Sequence, residues 1–399
     1  MSSQLQFVID ANAQHVDHKK YSKDVGYEIL NYNPKNVTTD ASIYRSIVVD
    51  PETKEVFSFA PPKSIDMDTF KETFSDLRHD RFQMNEIVEG TMMNLFYDHR
   101  INQWEIATKG AIGGTYWFYR NTYEDIGKPQ LTFRQMFLES LGCDKDTSFN
   151  DVALLNNLMR DHVYSFVVQH PDNHIVLNII QPRAYLVCVF KKVSQNTLQM
   201  VPLKVIRSLS LFQNSPVHFP RDVDPERKTF DILSSEDSNH IYPGYMILDE
   251  ETGMRTKIEN PNYAKLKTIR GNNPNLLYHY LCFTHADQCR QFLEHFPMYT
   301  QMFDQFQKQV NTLIRHIHDA YVLYYVQKRG KQIRIPAHIM PHIWKLHFET
   351  HLPSIERGEK QIITKDIVRQ YFNTMLPKEK WYYLNKCANQ NVAEEYVGK

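Results

Sequence analysis

What the chain lacks narrows it first. It has no excess of either charge: 46 Lys and Arg balance 46 Asp and Glu over 399 residues. No global charge therefore advertises nucleic acid or an anionic membrane. The five cysteines, Cys143, Cys188, Cys282, Cys289 and Cys387, are odd in number, widely spaced and contain no C-x-x-C pair. That usage argues against a disulfide framework and predicts free thiols in a reducing, intracellular compartment. No apolar run approaches the ~20 residues that cross a bilayer, so no membrane association is expected. The opening "MSSQLQFVIDANAQ" lacks the cationic start and apolar stretch of a secretory signal. Internal repeats and low-complexity tracts are missing too.

What is present is aromatic. With 23 Tyr and 23 Phe, the cores are expected to be rich in rings, and single-stranded RNA stacking is the sharper alternative use for some of them. The length allows two or three domains. Charge is unevenly spread: Lys308 to Lys386 is richer in Lys, Arg and His than the first hundred residues. A solvated helical surface and a phosphate-facing patch are both open readings of that skew.

The period of the pattern changes near residue 270. Before it, short β-rich runs bounded by Pro, Gly, Asn or Asp alternate with turns: "YRSIVVD", "KEVFSFA", "GTMMNLFYD", "QWEIATKG", "VYSFVVQH", "HIVLNII", "AYLVCVFKKV", "GYMILDE" and "RTKIEN". Helical patterns interrupt them around "QLTFRQMFLESLG" and "DVALLNNLMRDH". After "RGNNPN", Phe303, Phe306, Val310, Leu313, Ile317, Tyr321 and Tyr324 recur at helical spacing. A second helix is predicted over 364–377, with Thr364 as N-cap and Pro377 as its stop. The expectation is an α+β domain of antiparallel sheets over 1–270 and an all-α domain over 271–399.

Four stretches of the first domain carry chemistry. "YRSIVVDPETKEVFSFAPPKSID" places Arg45 at a strand start and Lys63 after a Pro-Pro turn. "NEIVEGTMMNLFYD" is a tight turn, Glu89-Gly90-Thr91, that opens into an alternating strand. "WEIATKGAIGG" ends a strand in Lys109-Gly110, and "YSFVVQHPDNHIVL" is followed later by "YPGYMILDEETGMRTKIEN".

In this order and spacing the stretches resemble the nucleotidyltransferase domain of the T-even bacteriophage RNA ligase 1 family, most nearly its divergent relatives in large DNA viruses. The resemblance covers most of residues 25 to 265. It implies a ligase-type nucleotidyltransferase fold and ATP-dependent RNA end joining: a lysine takes AMP from ATP, passes it to an RNA 5′-phosphate, and a 3′-hydroxyl displaces it. The chemistry asks for a deprotonatable amine, cations on the phosphates and carboxylates on magnesium. The resemblance also implies ATP and magnesium as cofactors, RNA 5′-phosphate ends or proteins of a viral assembly as partners, and the host cytoplasm or virion as location.

Carried over by position, Arg45, Lys63, Lys109 and Lys257 stand where family members contact nucleotide or phosphate. Glu89, with Gly90 and Thr91, stands where an acidic residue contacts ribose or metal, and Gly110 matches as well. Four positions depart. Ile87 occupies the nucleophile's place, Val167 that of an acidic residue lining the site, Pro243 that of a glutamate, and Glu259 that of a second lysine. An aliphatic side chain cannot attack phosphorus, and no lysine lies between Lys71 and Lys109 to replace it. The reading is therefore a degenerate ligase that retains nucleotide or RNA-end binding or serves a structural role. The alternative is an active ligase using a non-standard nucleophile, Lys109 or Lys63 in a rebuilt pocket.

Each assignment has a plainer counterpart. Arg45, Lys63 and Lys109 can be surface cations covering sheet edges. Glu89 can be a turn carboxylate accepting backbone N–H groups. His338, His342, His347 and His351 suggest zinc by their spacing, but Pro341 interrupts the first pair and no cysteine completes a ligand set, so packing is favoured and no metal is assigned.

Overall fold

The computed structural model describes the chain except residues 1–4, 23–24, 34–39, 75–80, 117–130, 224–241, 272–274, 284–285, 331, 333 and 390–399. The described residues fall into two compact units, one running to Ile269 and the other starting at Arg270.

The first unit is α+β and built on three sheets. The central one has eight strands, ordered Gln6–Val8, Thr197–Val201, Arg183–Lys192, His162–Gln169, Thr91–Asp98, Gln103–Thr108 and Ala111–Ile112, every pair antiparallel. Val217–His218 adds to Arg183–Lys192 in parallel. A four-stranded sheet, Val16–Ser22, Gly26–Tyr32, Ile47–Val49 and Val56–Ser58, packs on one face around Ile29, Leu30, Val48, Phe57, Phe96 and Phe190. Helices cover the other face. Phe137 of Phe133–Ser140 and Leu155 of Ala153–Asn156 join Tyr164, Phe166 and Leu186 there. Because both faces are covered, His162–Gln169 is buried at every position, and its sequence does not alternate between apolar and polar.

The third sheet, Arg255–Glu259, Gly244–Asp249 and Phe82–Glu86, is three-stranded and antiparallel. It delivers Ile87 at its end, where the Ile87 N–H donates to the Gly244 carbonyl at 2.8 Å. In the central sheet, Ser165 pairs with Cys188 but Phe166 pairs with Leu186, so Val187 is an extra residue. Such a bulge re-aims neighbouring side chains, and both Val187 and Cys188 line the same cavity.

The second unit is helical. Its longest element is Thr300–Tyr321, whose buried face carries Phe303, Phe306, Val310, Leu313, Ile317 and Tyr321. Phe292 stacks on Phe303 at 5.1 Å and 11°, within a cluster that also takes Phe296 and Tyr299.

Three expectations are corrected. The run at 174–180 is not a strand: its backbone donors at 175–177 face the Glu89 carboxylate instead of a neighbouring strand. Tyr324 does not continue the buried stripe, because the chain widens into a π-helical turn at Val322–Val326 and slips the register. Pro377 does not stop the preceding helix. Lys365–Thr374 already ends at Met375, and Pro377 opens the next helix, Pro377–Asn389, where its missing N–H is not needed. Thr364 does cap as expected, accepting from the Ile367 N–H.

Candidate functional site

A cavity of about 310 Å³ lies within the first unit, at the junction of the central and three-stranded sheets. Ile87, Met92, Val167, Val187, Phe190 and Met246 make much of its wall. Arg45, Arg255 and Lys257 bring positive charge to it.

Arg45 is aimed by an unusual backbone. Ser46, buried beside it, sits at φ 56°, a left-handed conformation that costs a non-glycine residue of order 1–3 kcal/mol. Two hydrogen bonds hold it there: the Ser46 N–H to Asn31 Oδ1 at 2.9 Å, and Ser46 Oγ to the Thr108 carbonyl at 2.7 Å. Burial lowers the Arg45 guanidinium pKa, and the Tyr32 oxygen opposes that shift. The Arg45 guanidinium makes no hydrogen bond or ion pair among the described residues, although the Arg45 backbone N–H donates to the Ile43 carbonyl at 2.9 Å.

Arg255 lies deeper, 9% exposed. Its Nε donates to the Pro62 carbonyl and its Nη2 to the Pro61 carbonyl. Burial, reinforced by the Arg45 charge, pushes its pKa down. A guanidinium nonetheless remains cationic at neutral pH. Neutral carbonyls only partly offset the several kcal/mol that desolvating such an ion costs.

The remaining sequence candidates divide. Lys63 and Lys109 converge on the Tyr32 ring, their Nζ atoms 5.1 and 5.0 Å from its centroid, and Lys109 reaches the Tyr32 hydroxyl at 3.4 Å. Neither lines the cavity, although Lys63 lines an adjoining one that shares Arg255. Lys257 stands at the cavity rim and is tied to Glu259, 2.5 Å away. Pro243 holds Asn260, whose N–H donates to its carbonyl at 3.0 Å.

Glu89 is 6% exposed and turned away from the cavity. Its carboxylate accepts from the N–H groups of Ile175, Val176 and Leu177, the nearest at 2.6 Å, and from the Tyr263 hydroxyl at 2.6 Å. Burial, then the Glu89 charge, raises the Tyr263 hydroxyl pKa, so it stays a donor. Gly90 lets two strands touch: a Cβ there would sit 2.4 Å from the Val168 carbonyl oxygen.

The donor set does not fit a divalent ion. The cavity's carboxylate, Glu86, is paired with Arg221 at 3.2 Å, and Val167 supplies no oxygen. Among the described residues, no three His, Cys, Asp or Glu side chains gather into a metal-binding cluster. In the helical unit the four histidines take different hydrogen-bond or ring partners, although the His347 and His351 rings also stack at 5.4 Å. His338 meets Cys387 Sγ, His342 Nδ1 the Tyr371 hydroxyl and His351 Nδ1 the Gln361 carbonyl, while His347 stacks on Tyr325 at 3.7 Å.

Arg255 is the residue that sequence reasoning passed over. Its signal was present: Arg255, Lys257 and Glu259 occupy alternate positions of one strand and so share a face. Tyr32, which gathers Lys63 and Lys109, had no comparable signal.

The sequence matches no protein-family profile and no curated protein. Among solved structures it is similar to an archaeal ATP-dependent RNA ligase, at 14% identity and a TM-score of 0.44 over 74% of this chain and 68% of that one. It is also similar to a putative ATP-dependent DNA ligase from Aquifex aeolicus, at 14% identity and 0.42 over 87% and 78%. A Naegleria gruberi RNA ligase mutant solved with ATP and Mn gives 10% and 0.37 over 53% and 60%, so the chain spans about 60% of that protein's length. No helix among the described residues is long and apolar enough to cross a membrane.

Proposed function

We propose that this chain is a catalytically degenerate relative of the ATP-dependent RNA ligases that binds a nucleotide or RNA 5′-phosphate without becoming covalently adenylated. The observation that carries the reading is one of convergence. Ile87 and Val167, the two clearest departures from the ligase pattern, line the same cavity as Arg45 and Arg255. The anion-binding half is kept while the amine and the carboxylate are replaced by aliphatic groups. Loss of both removes nucleophilic attack and metal binding together, and the two are not independently recoverable.

The geometry weighs against Lys63 and Lys109 as substitute nucleophiles. Lys63 and Lys109 are directed at Tyr32, outside the cavity. An RNA partner, a viral origin with a part in a viral assembly, and an intracellular location belong to the same proposal and rest on the motif order.

The test is incubation of the full chain with α-labelled ATP and magnesium, followed by acid denaturation. The expected result is no label on the protein. Acid-stable label would restore the ligase reading, and mapping it would name the nucleophile.

A further inference from the structure

The cavity holds charge that the described residues do not answer. Arg255 uses Nε and Nη2 on the Pro62 and Pro61 carbonyls, and its Nη1 makes no hydrogen bond among the described residues. Arg45 faces the same space with no carboxylate partner among the described residues. The other ions of the wall are already matched, Lys257 by Glu259 and Glu86 by Arg221. Two guanidinium charges therefore stand uncompensated over a wall of Phe7, Ile87, Met92, Val167 and Phe190.

We propose that this cavity is a metal-independent site for a phosphomonoester carried on a flat, largely apolar body, with Arg45 and Arg255 as the phosphate clamp. The inference rests on the nucleotide-binding reading above and narrows it. A phosphomonoester carries about −1.5 to −2 charge near neutral pH, which two guanidiniums balance. Their planar forks suit phosphate oxygens. A triphosphate brings roughly two further charges, and such chains are ordinarily held with the help of magnesium, for which this wall has no free carboxylate. Size points the same way, since about 310 Å³ lies at the small end of ligand cavities, roughly 300–1,000 Å³. A free nucleoside monophosphate and the 5′-phosphorylated end of an oligonucleotide present this same chemistry.

Calorimetric titration of the full chain separates the possibilities. The probes are AMP in EDTA, ATP with magnesium, and a short oligoadenylate with either a 5′-phosphate or a 5′-hydroxyl. AMP in EDTA is expected to bind at least tenfold more tightly than ATP with magnesium, and the 5′-phosphorylated oligomer at least tenfold more tightly than its 5′-hydroxyl form. Arg45→Met is expected to weaken AMP tenfold or more, while Lys265→Met, an exposed change on another face, leaves it within twofold. Arg255→Met can fail for structural reasons because that residue braces Pro61 and Pro62. Phosphorus NMR therefore supplies a second readout. The bound phosphate should titrate below its usual pKa of about 6 in the wild type, and closer to it in Arg45→Met. If the oligomer surpasses AMP, a nucleic-acid terminus is the natural source; if AMP equals it, the free nucleotide is. Tighter binding of ATP with magnesium, or indifference to the 5′-phosphate, overturns the monophosphate assignment while leaving nucleotide binding intact. Failure of every nucleotide and oligomer to bind overturns both.

Discussion

Two groups of buried or half-buried arginines sit in the first unit, and among the described residues only one is neutralised. Arg100 is enclosed by carboxylates: Asp98 at 2.7 Å, Asp50 at 2.6 Å, with the Tyr27 hydroxyl donating to Asp98 at 2.7 Å. Arg81 likewise forks onto Asp249 through two 2.6 Å contacts. Arg45 and Arg255 lie in the same unit with backbone carbonyls or nothing. An arginine cannot shed its proton to escape burial, so it needs an anion from the chain or from outside. The first pair has its anions built in, and the second is left for a ligand.

Breaking the neutralised group is expected to have the largest effect. Asp98 is fully buried, and Asp98→Ala would leave Arg100 with Asp50 as its one carboxylate and strand the Tyr27 hydroxyl, destabilising the fold by roughly 3 kcal/mol. Denaturant unfolding of the variant checks this. Burial opposes ionisation of Asp98, but hydrogen bonds from Arg100 and Tyr27 outweigh it and hold its pKa below the usual range. The folded form therefore binds fewer protons than the unfolded one. Its stabilisation is full above the unfolded pKa of about 4 and fades as pH falls through the lower folded value. Asp98→Asn should flatten that acid limb.

The helical unit handles a buried base in a third way, by leaving it neutral. His342 is 2% exposed, with Nδ1 on the Tyr371 hydroxyl, Nε2 without a hydrogen bond, and Tyr383 against its ring at 4.1 Å. Burial, then the charges of His338 and Lys345, push its pKa down to about 4. A depressed histidine stabilises fully above the unfolded pKa of about 6.5 and loses that contribution as pH falls toward 4, roughly 3 kcal/mol in all. Acid destabilisation arising from His342 should therefore begin about two pH units above that arising from Asp98. Hydrogen exchange followed from pH 7 to 4 reads the two separately. His342→Phe should remove the early loss, and an unchanged profile would refute the assignment.

Ser46 tests how the unneutralised pair is aimed. Ser46→Val adds a branched side chain to a left-handed backbone and removes the bond to the Thr108 carbonyl, with an expected cost of about 2 kcal/mol or more. Ser46→Gly relieves the strain as it loses the same bond, so its stability should stay within about 1 kcal/mol of wild type. Thermal unfolding of the two variants side by side decides the matter.

The contrast between these groups also explains what the sequence could convey. The order of turns around Arg45, Ile87, Lys109 and Lys257 was readable because turn chemistry and strand alternation are local. Whether a strand arginine meets a carboxylate is a tertiary fact, so Arg255 and Arg81 look alike in the sequence and differ only in the fold. Glu89 shows the same limit. Its turn was legible, but its backbone partners lie 86 to 88 residues away, in an apolar run that reads as a strand until its N–H groups are seen to face a carboxylate. In the helical unit, the stripe from Phe303 to Tyr321 was plain, and it failed at Tyr324 because a π turn changes the period without a compositional mark.

The smallest stability change should come from the residue with the greatest effect on binding. Among the described residues the Arg45 guanidinium has no partner to strand, and it repels Arg255, so Arg45→Met removes a desolvated charge and relieves its neighbour. Exchanging a buried charge for an apolar side chain of similar size is often neutral or stabilising. The unliganded variant should unfold within about 1 kcal/mol of wild type, on the stabilised side. With AMP at a hundred times its Kd, the wild type should gain about 2.7 kcal/mol and the variant far less. The two curves would then cross, the variant being the more stable alone and the less stable with ligand. A structural arginine cannot produce that crossing, because its removal lowers both. A large loss of stability in unliganded Arg45→Met would place Arg45 with Arg100 and Arg81 and erase the distinction between the two groups.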